Sequence, residues 1–256
     1  MESSCQIGIL QVDLVRPELQ AQFGDYPQMF SELLGRANPT IRTRIYRVVD
    51  GELPAQIDEC TGYLITGSRH SVYDDLPWIP PLVDFVGKLL THKRKLVGVC
   101  FGHQFVAHYF GGRVERAEQG WGVGVHESRV LQATQQRDWP WLDQASTTAL
   151  LCSHRDQVVE LPENAELYLA SDFCPYGGYV IGDFVLTIQG HPEFSKPYIE
   201  ALMGTRRELL GEDVLRQALS SLQQPVDAER VGLWFAKFLC STTRCSTPNP
   251  SVDHPV

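Results

Sequence analysis

Short apolar runs alternate with amphipathic stretches through the first half of the chain. Residues 6–12 form an apolar run closed by Asp13, as a buried strand would. Residues 43–49, with β-branched alternation, and residues 62–66 (GYLIT) predict two more strands, and residues 27–34 predict a helix between the first two. Over residues 79–91 the apolar side chains Leu82, Phe85, Val86, Leu89 and Leu90 recur at helical spacing. Residues 95–99 (KLVGV) predict a further strand, and residues 101–110 a helix ended by Gly111-Gly112.

After Gly120 the texture changes. Residues 122–130, 149–152, 166–171, 178–181 and 184–188 all read as strands with few helices between them. Helical spacing returns over 196–210 and 228–239. Alternating strands and helices imply a mostly parallel sheet covered on both faces, and the later strands imply antiparallel additions to it. The expected fold is thus a single-domain α/β protein with a mostly parallel open sheet. It spans residues 1–240, and residues 241–256, with three prolines and little apolar matter, read as a disordered tail.

Composition narrows the function more than the fold. With 43% hydrophobic and 21% charged residues the 256-residue chain is ordinary globular material. A formal net charge of -9 argues against nucleic acid as a partner. No apolar stretch approaches the ~18 residues of a membrane span, and the N-terminal residues lack the basic start of a signal peptide. The seven cysteines are scattered, with no CxxC pair. A reducing cytoplasm with all thiols free is the expected setting.

One cysteine stands apart. Gly98-Val99-Cys100-Phe101-Gly102 joins a predicted buried strand to a predicted helix. A G-x-C-x-G joint is the cysteine form of a nucleophile elbow. Small neighbours allow a tight turn that pushes the nucleophile outward. The helix N-terminus beside the sulfur favours thiolate, and the Phe101 amide is placed to face an oxyanion. A buried structural cysteine is the plainer reading of any lone cysteine, and the two glycines and the strand-to-helix context argue against it here.

Such a nucleophile needs a base. Of the eight histidines, His191 lies in Gly190-His191-Pro192-Glu193, at the end of a predicted strand, where ligands bind in α/β sheets. Glu193 is placed to accept from the second ring nitrogen and fix the tautomer. Gln104, one helical turn beyond Cys100, faces the same side and is a candidate substrate contact. His103 points elsewhere on that helix.

Together these segments resemble the class I, triad-type glutamine amidotransferases, which pair a GxCxG elbow with a downstream HPE. Cys100 and His191 stand 91 residues apart in the same order. The resemblance implies a triad of Cys100, His191 and Glu193. It implies a second oxyanion amide from Gly67 or Ser68 in Thr66-Gly67-Ser68. It also implies that Ser153 and His154, in Ser153-His154-Arg155-Asp156-Gln157-Val158, belong to a stretch whose backbone holds the substrate's amino-acid end. Within the family, residues 62–79 and the elbow look most like stand-alone proteins related to the glutaminase domain of GMP synthase, and plant γ-glutamyl peptidases share much of the pattern. No ATP-pyrophosphatase segment or SGGxDS-type loop follows Phe194.

The implied reaction is hydrolysis of the glutamine γ-amide through a Cys100 thioester, with ammonia passed to a separate synthetase and no metal or organic cofactor required. The alternatives are a self-sufficient γ-glutamyl hydrolase and a non-catalytic regulatory protein of the same fold. In the hydrolase reading, residues 73–81 (YDDLPWIPP) either line a leaving-group pocket or form a packed loop.

Overall fold

The central strands are buried on both faces, so their sequences are mostly apolar, Lys95 and Thr187 being buried exceptions. The computed structural model describes residues 5–131 and 139–241. In it β1 (Gln6–Leu10), β3 (Gly62–Ile65), β4 (Lys95–Val99) and β11 (Val185–Ile188) pair in parallel, with β2 (Arg42–Tyr46) parallel at the edge beside β1. The sheet continues antiparallel through β10 (Gly178–Ile181), β9 (Ala165–Ala170), β6 (Gly122–Val130) and β7 (Thr147–His154). The order is β2-β1-β3-β4-β11-β10-β9-β6-β7. The expected α/β fold and its antiparallel extension are therefore present.

The strand period of two sorts the core into layers. Ile7, Ile9, Leu64, Val97 and Val99 face α2 (Tyr26–Ala37) and α8 (Ala228–Cys240), where Phe30, Leu33, Trp234 and Phe235 pack. Leu10, Tyr63, Ile65 and Leu96 face α3 (Ile79–Thr91) and α4 (Phe101–Tyr109). A third cluster joins α1 (Pro17–Phe23), α5 (Lys196–Gly204) and α7 (Glu212–Ser221) to Val123, Val125 and Leu151.

Several features depart from the pattern read in the sequence. The helix expected over 196–210 breaks at Thr205-Arg206 into α5 and the single turn α6 (Arg207–Leu210). Helices α1 and α7 bury too few residues to show a wide apolar stripe: Leu19 alone in α1, Leu215 and Ala218 in α7. Strands β5 (Arg113–Arg116) and β8 (Asp156–Glu160) form a separate two-stranded sheet. Beyond Ser241, the tail expected to be disordered lies outside the described residues. The expectation of seven free thiols is corrected by Cys5 and Cys240, which form a disulfide with Cα atoms 5.7 Å apart. The pairing joins the start of β1 to the end of α8, a proximity that only packing creates. No described helix is long and apolar enough to cross a membrane.

Candidate functional site

Topology brings the two sequence motifs together. Strand β11 pairs with β4 so that Ile188 lies opposite Val99, and the Cys100 amide donates to the Ile188 carbonyl at 2.8 Å. Cys100 and the Gly190–Glu193 segment thus leave neighbouring strands at their carboxyl ends, the usual ligand-binding edge of such a sheet.

Cys100 adopts φ 50° and ψ -99° at the head of α4, a backbone conformation that costs energy for a non-glycine residue. The elbow closes because its flanking residues lack side chains. A Cβ on Gly98 would stand 2.6 Å from the Gly102 carbonyl oxygen, and one on Gly102 would stand 2.7 Å from that of Ile65.

His191 is buried and held from several directions. Its amide donates to the Leu151 carbonyl at 2.8 Å. Its Nδ1 lies 2.7 Å from Glu193 Oε1, its ring stacks on Phe194 with centroids 3.9 Å apart, and it hydrogen-bonds the Cys100 side chain. Burial pulls the imidazole pKa down, but the charges of Glu193 and Cys100 and the hydrogen bonds to both outweigh it, so the net shift is upward. With Nδ1 engaged by the carboxylate, Nε2 is left for the sulfur. Such an arrangement can hold a thiolate–imidazolium pair and move a proton at Nε2.

The loop after β3 completes the site. A Cβ on Gly67 would meet His191 Cε1 at 2.8 Å and Cys100 Cβ at 3.6 Å, so this backbone presses against both groups. Ser68 lines the cleft, and its hydroxyl accepts from the His70 amide. The Phe101 amide opens α4, where first-turn N–H groups lack helical partners. The structure therefore gathers Gly67 and Phe101 beside Cys100 and Ser68 into the same cleft.

The remaining expected residues are gathered in different ways. Gln104 borders the cleft, but its Nε2 donates to the Asp156 carbonyl at 2.7 Å and to Gln189 Oε1 at 3.0 Å. Ser153 lines the cleft and its hydroxyl accepts from Arg206. His154 is buried, and burial holds its imidazole down to about 3, so it is neutral. His103 lies away from the cleft, its Nδ1 on Thr187 Oγ1 at 2.9 Å. The cleft, about 270 Å³, draws on Ser68 to Ser71 and not on residues 73–81. Trp78 instead packs on Phe101, with ring centroids 5.5 Å apart, as a packed loop would.

Sequence reading missed two contributors. Asp156 accepts from the Ser71 hydroxyl at 2.5 Å and the Tyr73 hydroxyl at 2.9 Å, tying the loop after β3 to β8. Arg206 reaches the cleft from the break between α5 and α6. The aspartate stands within Ser153-His154-Arg155-Asp156-Gln157-Val158. Nothing in the local sequence marked the arginine.

The fold and this cleft define an α/β protein with a cysteine elbow and a carboxylate-held histidine at the carboxyl edge of its sheet. The glutamine amidotransferase class-I family model matches residues 39–200, and the chain belongs to that family. The chain is 32% identical over 178 residues to γ-glutamyl peptidase 3 of Arabidopsis thaliana, covering 68% of this chain and 71% of that protein. It is 30% identical over 247 residues to a glutamine amidotransferase-like protein of Schizosaccharomyces pombe, covering 91% of this chain and 98% of that protein. A glutamine amidotransferase structure from Methylobacillus flagellatus superposes with a TM-score of 0.73 at 22% identity, over 96% of this chain and all of that one.

Proposed function

We propose that this chain hydrolyses γ-glutamyl amide bonds through a thioester on Cys100. The observation that carries the reading is the buried Cys100–His191–Glu193 array, whose Cys100 lines an open cleft. The Cys100 sulfur attacks the γ-carbonyl carbon, and the amides of Phe101 and of Gly67 or Ser68 hold the oxyanion that forms. As the intermediate collapses, the C–N bond breaks and His191 Nε2 gives its proton to the departing amine. The same nitrogen then takes a proton from water, whose oxygen attacks the thioester. Collapse of this second intermediate releases glutamate and restores the thiolate. Glu193 keeps the imidazole in one tautomer throughout.

Between the two enzymatic readings the sequence leaves open, the self-sufficient γ-glutamyl hydrolase has the stronger support. The cleft is assembled within one chain, and beyond the sulfur it is bordered by Arg116, Trp121, Arg155 and Leu209, room for a leaving group larger than ammonia. The likeness to γ-glutamyl peptidases points the same way. The ammonia-donor reading is supported by the amidotransferase relatives. Its substrate is glutamine and its partner a synthetase chain. Steady-state assays on the purified chain decide between them: release of the free amine from γ-glutamyl dipeptides, with slow glutamine hydrolysis, is expected. Rapid glutaminase activity that appears only with a synthetase would overturn the hydrolase reading.

A further inference from the structure

We propose that Arg206 is the carboxylate-binding residue of the cleft and that its ligand is the α-carboxylate of a γ-glutamyl group, an assignment that rests on the γ-glutamyl reading above. Arg206 lies outside the residues matched to the family. It stands where α5 breaks before α6, half-buried, in the cleft that also holds Cys100 and Gln104.

Its guanidinium is under-used. Nη1 donates to the Ser153 hydroxyl at 2.8 Å, and among the described residues no carboxylate pairs with it. The ionisable groups whose charges it feels most are Tyr26, Arg16, Tyr198 and Cys100, with no aspartate or glutamate among them. Among the described residues Arg94, also half-buried, has only the Cys60 carbonyl at 2.8 Å, but it lies outside the cleft, whereas two other arginines are paired with carboxylates. Arg69, in the same cleft, is gripped by Asp13 and by the Leu14 carbonyl, and Arg230 by Asp227. A desolvated charge without a counter-ion is costly, and a cleft beside a nucleophile is where such a cost accompanies function. Burial pulls the Arg206 pKa downward, but arginine starts so high that it stays charged at neutral pH. Four further N–H donors in a planar fork suit a carboxylate held in two-point fashion.

The choice of carboxylate follows from depth. The glutamyl half stays bound as the thioester while the amine departs, so it takes the inner, half-buried cation. Arg116 and Arg155 border the same cleft but are exposed, where a departing group would pass.

The test reads binding apart from turnover. In the Cys100→Ala protein, L-glutamate is titrated by calorimetry against 4-aminobutyrate, which lacks the α-carboxylate. Glutamate should bind, and Arg206→Met should weaken it at least about tenfold while leaving the weak binding of 4-aminobutyrate unchanged. Arg206→Lys, which keeps the charge but not the fork, should fall between. Melting temperatures of each variant check the fold, and if the methionine protein does not fold, the lysine variant carries the test. With Cys100 present, Arg206→Lys should raise KM by one common factor for γ-glutamyl-p-nitroanilide and for γ-glutamylglycine. A rise confined to γ-glutamylglycine would place Arg206 on the leaving group and overturn the assignment. So would glutamate affinity indifferent to Arg206, or no glutamate binding at all. A chain that binds glutamate through Arg206 yet hydrolyses neither substrate would sink the proposed reaction and keep this site.

Discussion

Asp13, just beyond the end of β1, holds Arg69 by two routes: its Oδ2 accepts from the Arg69 backbone amide at 2.8 Å and from Nε at 2.9 Å. Arg69 follows Gly67 and Ser68, so this buried carboxylate fixes the loop proposed to supply an oxyanion amide. Asp13→Ala should lower kcat about 10–100-fold, the cost of misplacing a donor by about an ångström. KM should change less, because the glutamyl contacts proposed above are elsewhere. A KM effect with kcat intact would show that the loop serves binding only.

Removal of the nucleophile should be near-complete in effect. Cys100→Ser should abolish turnover with the melting temperature kept, and alkylation followed by mass spectrometry should label Cys100 first among the accessible thiols. His191→Ala should cost about 10²–10⁴-fold in rate, the usual worth of general acid–base catalysis. Glu193→Gln should cost less, since it disturbs orientation and charge and spares the base. Under the proposed mechanism the three act as a unit, so a Cys100→Ser, His191→Ala double variant should be scarcely worse than Cys100→Ser alone. Additive losses would contradict a shared mechanism.

Two glycines of similar appearance in the sequence should respond oppositely to alanine. Gly102→Ala drives a Cβ to 2.7 Å from the Ile65 carbonyl and should cost about 1–3 kcal/mol of stability. Gly35, inside α2, has nothing within 4 Å of its would-be Cβ, so Gly35→Ala should add about 0.5–1 kcal/mol. Urea titrations of the two variants measure both signs.

Stability should fall on the acid side through His103 and His154. Burial holds both folded-state values down to about 3, whereas the unfolded chain titrates near 6.5. Below pH 6.5 the unfolded state takes up protons that the folded state refuses, so stability is full above that value and lost towards pH 3. Each histidine contributes a slope of about 1.4 kcal/mol per pH unit within that window. His191 acts in the opposite sense: with its folded value raised to about 10, its contribution is complete below 6.5 and is lost as pH rises from there through about 10. Chemical denaturation across pH 4 to 6 should show a shallower acid limb for His103→Leu than for the wild type. An unchanged limb would mean that His103 protonates within the folded state.

The Cys5–Cys240 link closes almost the whole chain. Its reduction, or Cys5→Ser, should lower stability by about 2–5 kcal/mol, as loss of a native disulfide does. Mass spectrometry under non-reducing conditions tests whether the pair forms, and equal denaturation midpoints with and without reductant would show that it adds nothing.

The sequence by itself determined the parts of this protein that repeat a local rule. The apolar run after Lys95 makes β4, the spacing of Leu82, Phe85, Val86 and Leu89 makes α3, and Gly98 and Gly102 mark a joint too tight for a Cβ at either position. The grouping of Cys100, His191 and Glu193 was legible because each belongs to a short motif, two of them adjoining at His191-Pro192-Glu193. Tertiary structure alone decided what lies beside what. Nothing within residues 212–221 announces α7, because a helix held at its edge needs only a narrow apolar stripe. Asp156 and Ser71 are 85 positions apart, Arg206 and Ser153 are 53, and Cys5 and Cys240 are 235. Their pairing has no local signature, since it follows from the insertion of β11 beside β4 and the return of α8 against β1's face of the sheet, where burial of apolar side chains sets the distances and polar groups take the partners left to them.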